Sequence, residues 1–340
     1  MIGASAGGVE ALRRLFAQLP GDLQAPVFVV LHVPIDAHSA LPDILSRAGP
    51  LEARHAVDGE RVVPGRAYVA PPGRHLTVED GVVRVARGPT EHGHRPAVDP
   101  LFRSAARAFG RGVVGVMLSG AQDDGTAGLL AVKSRGGIAI VQDPHDASHS
   151  GMPLSAIRNV PVDVILPVDR MGPAIVESLS ALPPPLDIPR HDRLAYESRV
   201  AEGHLAEHEE DVPGVASTFA CPACGGVLWE LKDGSLERYR CRVGHAYSSE
   251  SLGAAQTQSI EAALWTALRA LREKASLRHR MAEGARSHGH HRTARQFELT
   301  EDLILGQARV IQDLLEQGEW SDEPPDESED RTDMGELSGS

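Results

Sequence analysis

Two groups of residues in this 340-residue chain have types and spacings suited to chemistry. The first is built on a serine among small residues, Gly3-Ala4-Ser5-Ala6-Gly7-Gly8, directly ahead of a helix-forming stretch. A serine at a sharp strand-to-helix turn is exposed to an incoming carbonyl, and the unpaired N–H groups of the following helix face the place where an oxyanion would develop. Serine alone is a weak nucleophile and needs a histidine base oriented by a carboxylate. His32 follows the apolar run 27–31, and both Asp123 and Asp124 follow the run 113–118. Each residue also has a plain structural role open to it: a helix cap for Ser5, a hydrogen-bonded structural histidine at 32, a turn residue before Gly125. A phosphate cradle is a third reading of the glycine turn. It fails because the glycines lack the G-x-G-x-x-G spacing and the next strand ends in Leu31-His32 instead of an acidic residue.

The second group is Cys221-x2-Cys224, sixteen residues, then Cys241-x3-His245. The chain has three cysteines, all in this segment, which reads as metal ligands in a reducing compartment and not as a disulfide framework. Paired ligands around a hairpin-length insert, with Asp233-Gly234 at its turn, suit tetrahedral structural zinc. Four protein ligands leave no open position, so no catalytic role for the metal is expected. His288, His290 and His291 also cluster, and read as solvated loop residues.

The elements that must position these groups follow from the apolar pattern. Runs at 27–31, 67–70, 113–118, 138–141 and 162–166 read as strands, and 8–19, 100–109, 125–135 and 153–158 as helices. Asp99-Pro100 reads as a cap followed by proline at the first helical position. Near-continuous Val/Ile/Leu runs between helices predict a doubly wound, mostly parallel α/β sheet, with the 67–86 stretch, turning at Gly81, as an added β-hairpin. Ligands of such sheets bind beyond the carboxyl ends of the strands, where Ser5, His32 and the aspartates fall. The expected organisation is a first domain over 1–180, a linker over 181–217 beginning near Pro183-Pro184-Pro185, and a zinc-ribbon-like module over 218–248. An α-helical hairpin over 249–318 and a disordered acidic tail over 319–340 complete it. Net charge is −13, which argues against nucleic acid as a partner. No apolar run is long enough to enter a membrane as a spanning helix and no signal peptide precedes the serine turn, so a cytoplasmic protein is expected.

The segments IGASAGGVEAL, VFVVLHVP, VAPPGRHL, HRPAVDPLFRSAA, VMLSGAQDDGTAGLLAVKSRGG and GMPLSAI resemble, in order, the catalytic domain of CheB-type protein-glutamate methylesterases, over residues 2 to about 178. The resemblance implies that family's doubly wound fold and a triad of Ser5, His32 and Asp124, Asp124 being the aspartate directly before the glycine. It implies hydrolysis of glutamate γ-methyl esters on the helical cytoplasmic region of chemoreceptors, with glutamine deamidation open to the same chemistry. Backbone N–H groups at Ala6 and Ala121 would bind the oxyanion. The chain departs from the family at Ser119-Gly120-Ala121-Gln122, where Thr-Gly-Met-Gly is usual. Only four residues precede Ser5, where chemotaxis members carry a receiver domain and linker. Control by an attached receiver is therefore not expected, and a start upstream of Met1 is, since two residues fall short of an ordinary first strand. A non-catalytic adaptor, binding receptor-like helices through the zinc and helical segments, is the alternative from a different class.

Overall fold

The structure, a computed structural model, describes residues 1–182, 193–204, 213–234 and 236–317. The expected acidic tail and about half of the expected linker lie outside these residues. Strand β1 (Ile2–Ala4) is three residues long and leads through the serine turn into α1 (Gly8–Phe16). The next apolar run forms β2 (Val27–Leu31). Successive side chains of a strand point to opposite faces, so Val27, Val29 and Leu31 enter one core while Phe28 and Val30 enter another. The chain continues through α2 (Leu41–Ala48), β3 (Glu52–His55), β4 (Arg66–Val69), an antiparallel hairpin of β5 (His75–Glu79) and β6 (Val82–Ala86), and α3 (Val98–Phe109). Then come β7 (Val114–Met117), α4 (Thr126–Ser134), β8 (Ile138–Gln142), α5 (Gly151–Asn159), β9 (Val164–Leu166) and α6 (Met171–Ala181).

Seven of these strands form one sheet in the order β3-β4-β2-β1-β7-β8-β9, and every neighbouring pair is parallel. Helices α1, α2 and α6 cover one face through Leu12, Leu15, Leu45 and Met171. Helices α3, α4 and α5 and the β5–β6 hairpin cover the other through Val78, Phe102, Val132 and Met152. The order reverses at β1, which pairs with β2 on one edge and β7 on the other. That reversal is where open α/β sheets bind ligands.

Several elements differ from the sequence pattern. The edge strand β3 reads Glu-Ala-Arg-His and buries only Ala53, so it carries no apolar run. Asp99 does not cap α3. The helix starts at Val98, and the carboxylate of Asp124 accepts from the Val98 and Asp99 N–H groups instead. Within the expected linker, Arg193–Ala201 forms helix α7, which packs on α3 and buries Ala195, Glu197, Val200 and Ala201.

A second, antiparallel sheet follows in the order β10 (Val215–Ala220), β11 (Val227–Asp233), β12 (Leu236–Cys241), β13 (Ala246–Ser248). Where the sequence pattern sets 218–248 apart as a module, the chain up to Leu252 clusters as one compact unit. Buried ion pairs account for the join. Arg240 of β12 is fully buried 3.0 Å from Glu91 and 3.1 Å from Glu197. Arg103 of α3 reaches the same two carboxylates at 2.7 and 3.2 Å, and Arg238 meets Glu197 at 2.8 Å. The second unit, from Gly253, contains the rest of α8 (Ser249–Ser287) together with α9 (His291–Gln317). The two helices run antiparallel, with Arg272 bonded to Gln312 at 2.7 Å, His279 to Glu301 at 3.2 Å, and Arg286 to Glu298. Among the described residues no helix is long and apolar enough to cross a membrane.

Candidate active site

Ser5, His32 and Asp124 each stand just beyond one of three adjacent strands, β1, β2 and β7. The Ser5 N–H donates to Ser119 O at 2.9 Å, and Gly8 N–H donates back to Ser5 O at 2.8 Å, closing the turn. Gly7 caps α1 with φ of 73°, and a Cβ there would lie 2.7 Å from Ser119 Oγ and from Ser148 Cβ. Only glycine has both the left-handed backbone and the space. Gly120 approaches Ser5 as closely, since a Cβ on it would come 2.9 Å from the serine Cβ. This brings the strand-end loop bearing the exposed Ala121 against Ser5, while Ala6, half-buried, follows the serine directly.

The His32 backbone is fixed by its N–H to Ala4 O at 3.2 Å. Its ring presents Nδ1 to Ser5 Oγ at 3.0 Å and Nε2 to Asp124 Oδ2 at 2.7 Å. Asp124 Oδ2 also accepts from Val98 N–H at 2.6 Å, and Oδ1 accepts from Asp99 N–H at 3.1 Å. The N-terminus of α3 thus holds this carboxylate, and its dipole favours the charge. Burial opposes ionisation of Asp124, yet the bond to His32, the charges of His92 and His32 and the Val98 N–H hold it well below the usual carboxylate range. An ionised Asp124 accepts the proton of Nε2, which leaves the Nδ1 lone pair facing Ser5. That arrangement can take a proton from the hydroxyl and return it to a leaving group. Asp123, the competing carboxylate, lies against His92 instead, with Oδ1 at 3.8 Å from Nδ1.

Two further histidines stand at the site that the sequence pattern does not single out. His94 stacks on His32 with ring centroids 3.9 Å apart and planes 17° from parallel. Burial, and then the charge of His32, push it down to about 4, so it is a neutral platform at neutral pH. His92 is buried among Asp99, Asp123 and Asp124. Their signal in the sequence is slight: a short loop, Thr90-Glu91-His92-Gly93-His94, dense in ionisable groups ahead of an apolar helix.

The cysteine group forms a separate cluster. Cys221 Sγ lies 3.7 Å and Cys241 Sγ 3.5 Å from His245 Nδ1, and Cys224 Sγ lies 3.7 Å from Cys241 Sγ. All four candidate ligand atoms fall within 4.8 Å of one another. A tetrahedron with Zn–S bonds of about 2.3 Å and a Zn–N bond of about 2.0–2.1 Å has edges of roughly 3.5–3.8 Å, so these residues fit the metal.

A model of the CheB methylesterase family matches residues 1–175. Among curated proteins, the chain is similar to protein-glutamate methylesterase/protein-glutamine glutaminase 2 of Anaeromyxobacter dehalogenans (strain 2CP-C), 40% identical over 177 residues, or 52% of this chain and 52% of that one. Protein-glutamate methylesterase/protein-glutamine glutaminase 2 of Xanthomonas oryzae pv. oryzae (strain MAFF 311018) is 40% identical over 184 residues, 53% of this chain and 51% of that one. The chain spans about half the length of these relatives. Among solved structures, the Thermotoga maritima CheB methylesterase catalytic domain is 33% identical with a TM-score of 0.50, covering 52% of this chain and 95% of that domain.

Proposed function

The chain belongs to the CheB methylesterase family, and from that premise we propose that it hydrolyses glutamate γ-methyl esters on the cytoplasmic helices of methyl-accepting chemoreceptors, releasing methanol. Deamidation of receptor glutamines is a second reaction of the same site, and the setting is cytoplasmic. The observation that carries the reading is the His32 ring, bonded to Ser5 Oγ at 3.0 Å and to Asp124 at 2.7 Å.

In this reading Ser5 Oγ attacks the ester carbonyl while His32 Nδ1 takes its proton. The N–H groups of Ala6 and Ala121 receive the oxyanion, each such donor lowering the barrier by about 3–4 kcal/mol. Collapse expels methoxide, which recovers the proton from Nδ1 as methanol. Water, deprotonated at the same nitrogen, then attacks the acyl-serine and frees the glutamate carboxylate and Ser5. Asp124 keeps the Nε2 proton in place and offsets the imidazolium charge of both steps. Cys221, Cys224, Cys241 and His245 hold one zinc ion in a structural role.

Incubation with methylated receptor, following methanol, tests this. The full chain releases methanol and Ser5→Ala does not. Equal release from both proteins, or none from either, defeats the reading.

A further inference from the structure

We propose that His92 is a positioning residue for Asp124, and that Ser251, from the segment following the second sheet, completes the active-site framework by fixing the His92 ring. The inference rests on the triad reading above. Neither residue belongs to the three catalytic positions, and Ser251 lies well beyond the family-matched residues 1–175.

The geometry starts from a problem of charge. Asp99, Asp123 and Asp124 are all buried around one imidazole. His92 Nε2 lies 3.1 Å from Asp99 Oδ2 and 3.8 Å from Asp124 Oδ1, and Nδ1 lies 3.8 Å from Asp123 Oδ1. Three carboxylates this close cannot all stay ionised without a cation among them. Arg103 serves Asp99 from the far side, its Nη1 at 3.4 Å, and is shared with Glu91 and Glu197. Glu250, at the start of α8, adds its field to the same cluster, and His94 is the other histidine nearby. Burial works against charge on His92, but the bond to Asp99 and the fields of Asp124, Asp99 and Asp123 outweigh it and push the ring up to about 9. At neutral pH both ring nitrogens therefore carry protons, and both face acceptors.

The second acceptor is Ser251 Oγ, 2.9 Å from Nδ1. This hydroxyl is itself fixed. It accepts from Ser248 N–H at 2.9 Å while Ser248 Oγ accepts from Ser251 N–H at 3.0 Å, a reciprocal cap at the start of α8. The backbone of His92 is held too, its N–H donating to Ala246 O at 2.8 Å, at a left-handed φ of 52°. A non-glycine residue keeps that conformation only where its surroundings impose it. The chain around 246–251 thus grips His92 at its backbone and at its ring.

The chemical effect reaches His32 through Asp124. With His92 charged, Asp124 stays ionised and its Oδ2 remains aimed at Nε2. Without that charge, the buried cluster of Asp99, Asp123, Asp124 and His32 holds a proton to higher pH, and whether it sits on a carboxylate or on His32 the base is lost. The acidic limb of the rate profile then moves to higher pH.

The test uses the full chain, with hydrolysis of p-nitrophenyl acetate across the pH range, Ser5→Ala as the blank and thermal melts to establish folding. His92→Gln keeps the shape and one hydrogen bond but not the charge. It should lower kcat about tenfold with KM near that of the unaltered chain, and shift the acidic limb of kcat/KM upward. Ser251→Ala should move both in the same direction by about threefold. Independently of turnover, nitrogen-15 NMR of the histidine rings should find His92 as an imidazolium at about pH 7.5, with its Nδ1 resonance displaced in Ser251→Ala. A neutral His92 ring, or folded variants that keep the original kcat and limb, would overturn the proposal. Should His92→Gln fail to fold, Ser251→Ala and the NMR reading decide. Absence of Ser5-dependent turnover in the unaltered chain refutes the triad reading alone, and the NMR reading still decides on His92.

Discussion

Replacing Glu197 by alanine tests whether the two sheets of the first unit stand or fall together. Glu197 is fully buried and accepts from Arg238 at 2.8 and 2.9 Å, with Arg240 at 3.1 Å and Arg103 at 3.2 Å. In the alanine variant three guanidinium groups remain in the interior, and Glu91, Asp99 and Asp233 are among the carboxylates still beside them. Removing one partner from a buried ion network costs about 3–5 kcal/mol, because the charges left behind stay desolvated. In a unit of about 250 residues each kcal/mol lowers Tm by about 2–4 °C, so a fall of about 6–20 °C is expected. Arg103 belongs to α3, on the first sheet, while Arg238 and Arg240 belong to β12 of the second. Loss of Ser5-dependent turnover and exposure of β11 and β12 to protease should therefore occur at one shifted temperature. Scanning calorimetry with both probes measures this. A Tm within 2 °C of the unaltered chain, or exposure of 213–248 alone while turnover keeps its original midpoint, refutes the reasoning.

Acid should weaken the same join. Burial pushes the Glu91 carboxyl up, but Arg103 and Arg240 push it down further, from 4.5 to about 2. A depressed folded value means stability fully present above about pH 4.5 and lost as pH falls toward 2, about 3 kcal/mol in all. Denaturant midpoints should drop across that window and drop less in Glu91→Gln; parallel curves for the two proteins would count against the pairing. Metal removal is the remaining perturbation. Elemental analysis should find about one zinc per chain, and chelation or Cys224→Ser should lower the Tm of the whole first unit, since Arg240 stands beside Cys241 and bonds Gly244 O at 2.8 Å within the ligand turn. Metal-replete protein without stoichiometric zinc would refute this.

The family-matched half was legible in the sequence where residue chemistry and apolar periodicity coincide. Val27–Leu31 is apolar on both faces because both are covered, and His32 at its end is visible for the same reason. The cysteine spacing is equally plain, because the candidate ligands come in two pairs, each close in sequence. Partners brought together from afar leave no such pattern. Glu197 sits in a polar stretch that reads as linker, yet two of its arginine partners lie 41 and 43 residues onward at Arg238 and Arg240, and Arg103 far upstream is a third. Ser251 lies 159 residues from His92, and no local pattern pairs the two. The Asp99 cap misled for a related reason: the α3 N–H groups had a better acceptor in Asp124, 25 and 26 residues away.

The central place of β1 bears on how the chain folds. Its register partners are Val29, Val30 and Leu31 on one side and Val116 and Met117 on the other. The second edge cannot close until the more than one hundred residues between β1 and β7 are ordered, so the serine turn that ends β1 is fixed only after that long segment has folded. Such non-local parallel pairing is slow, because loop-closure entropy is lost before contacts compensate for it. Until β7 arrives, the short apolar strand before Ser5 keeps one edge open, and an unpaired edge of that kind is a template for pairing with another chain.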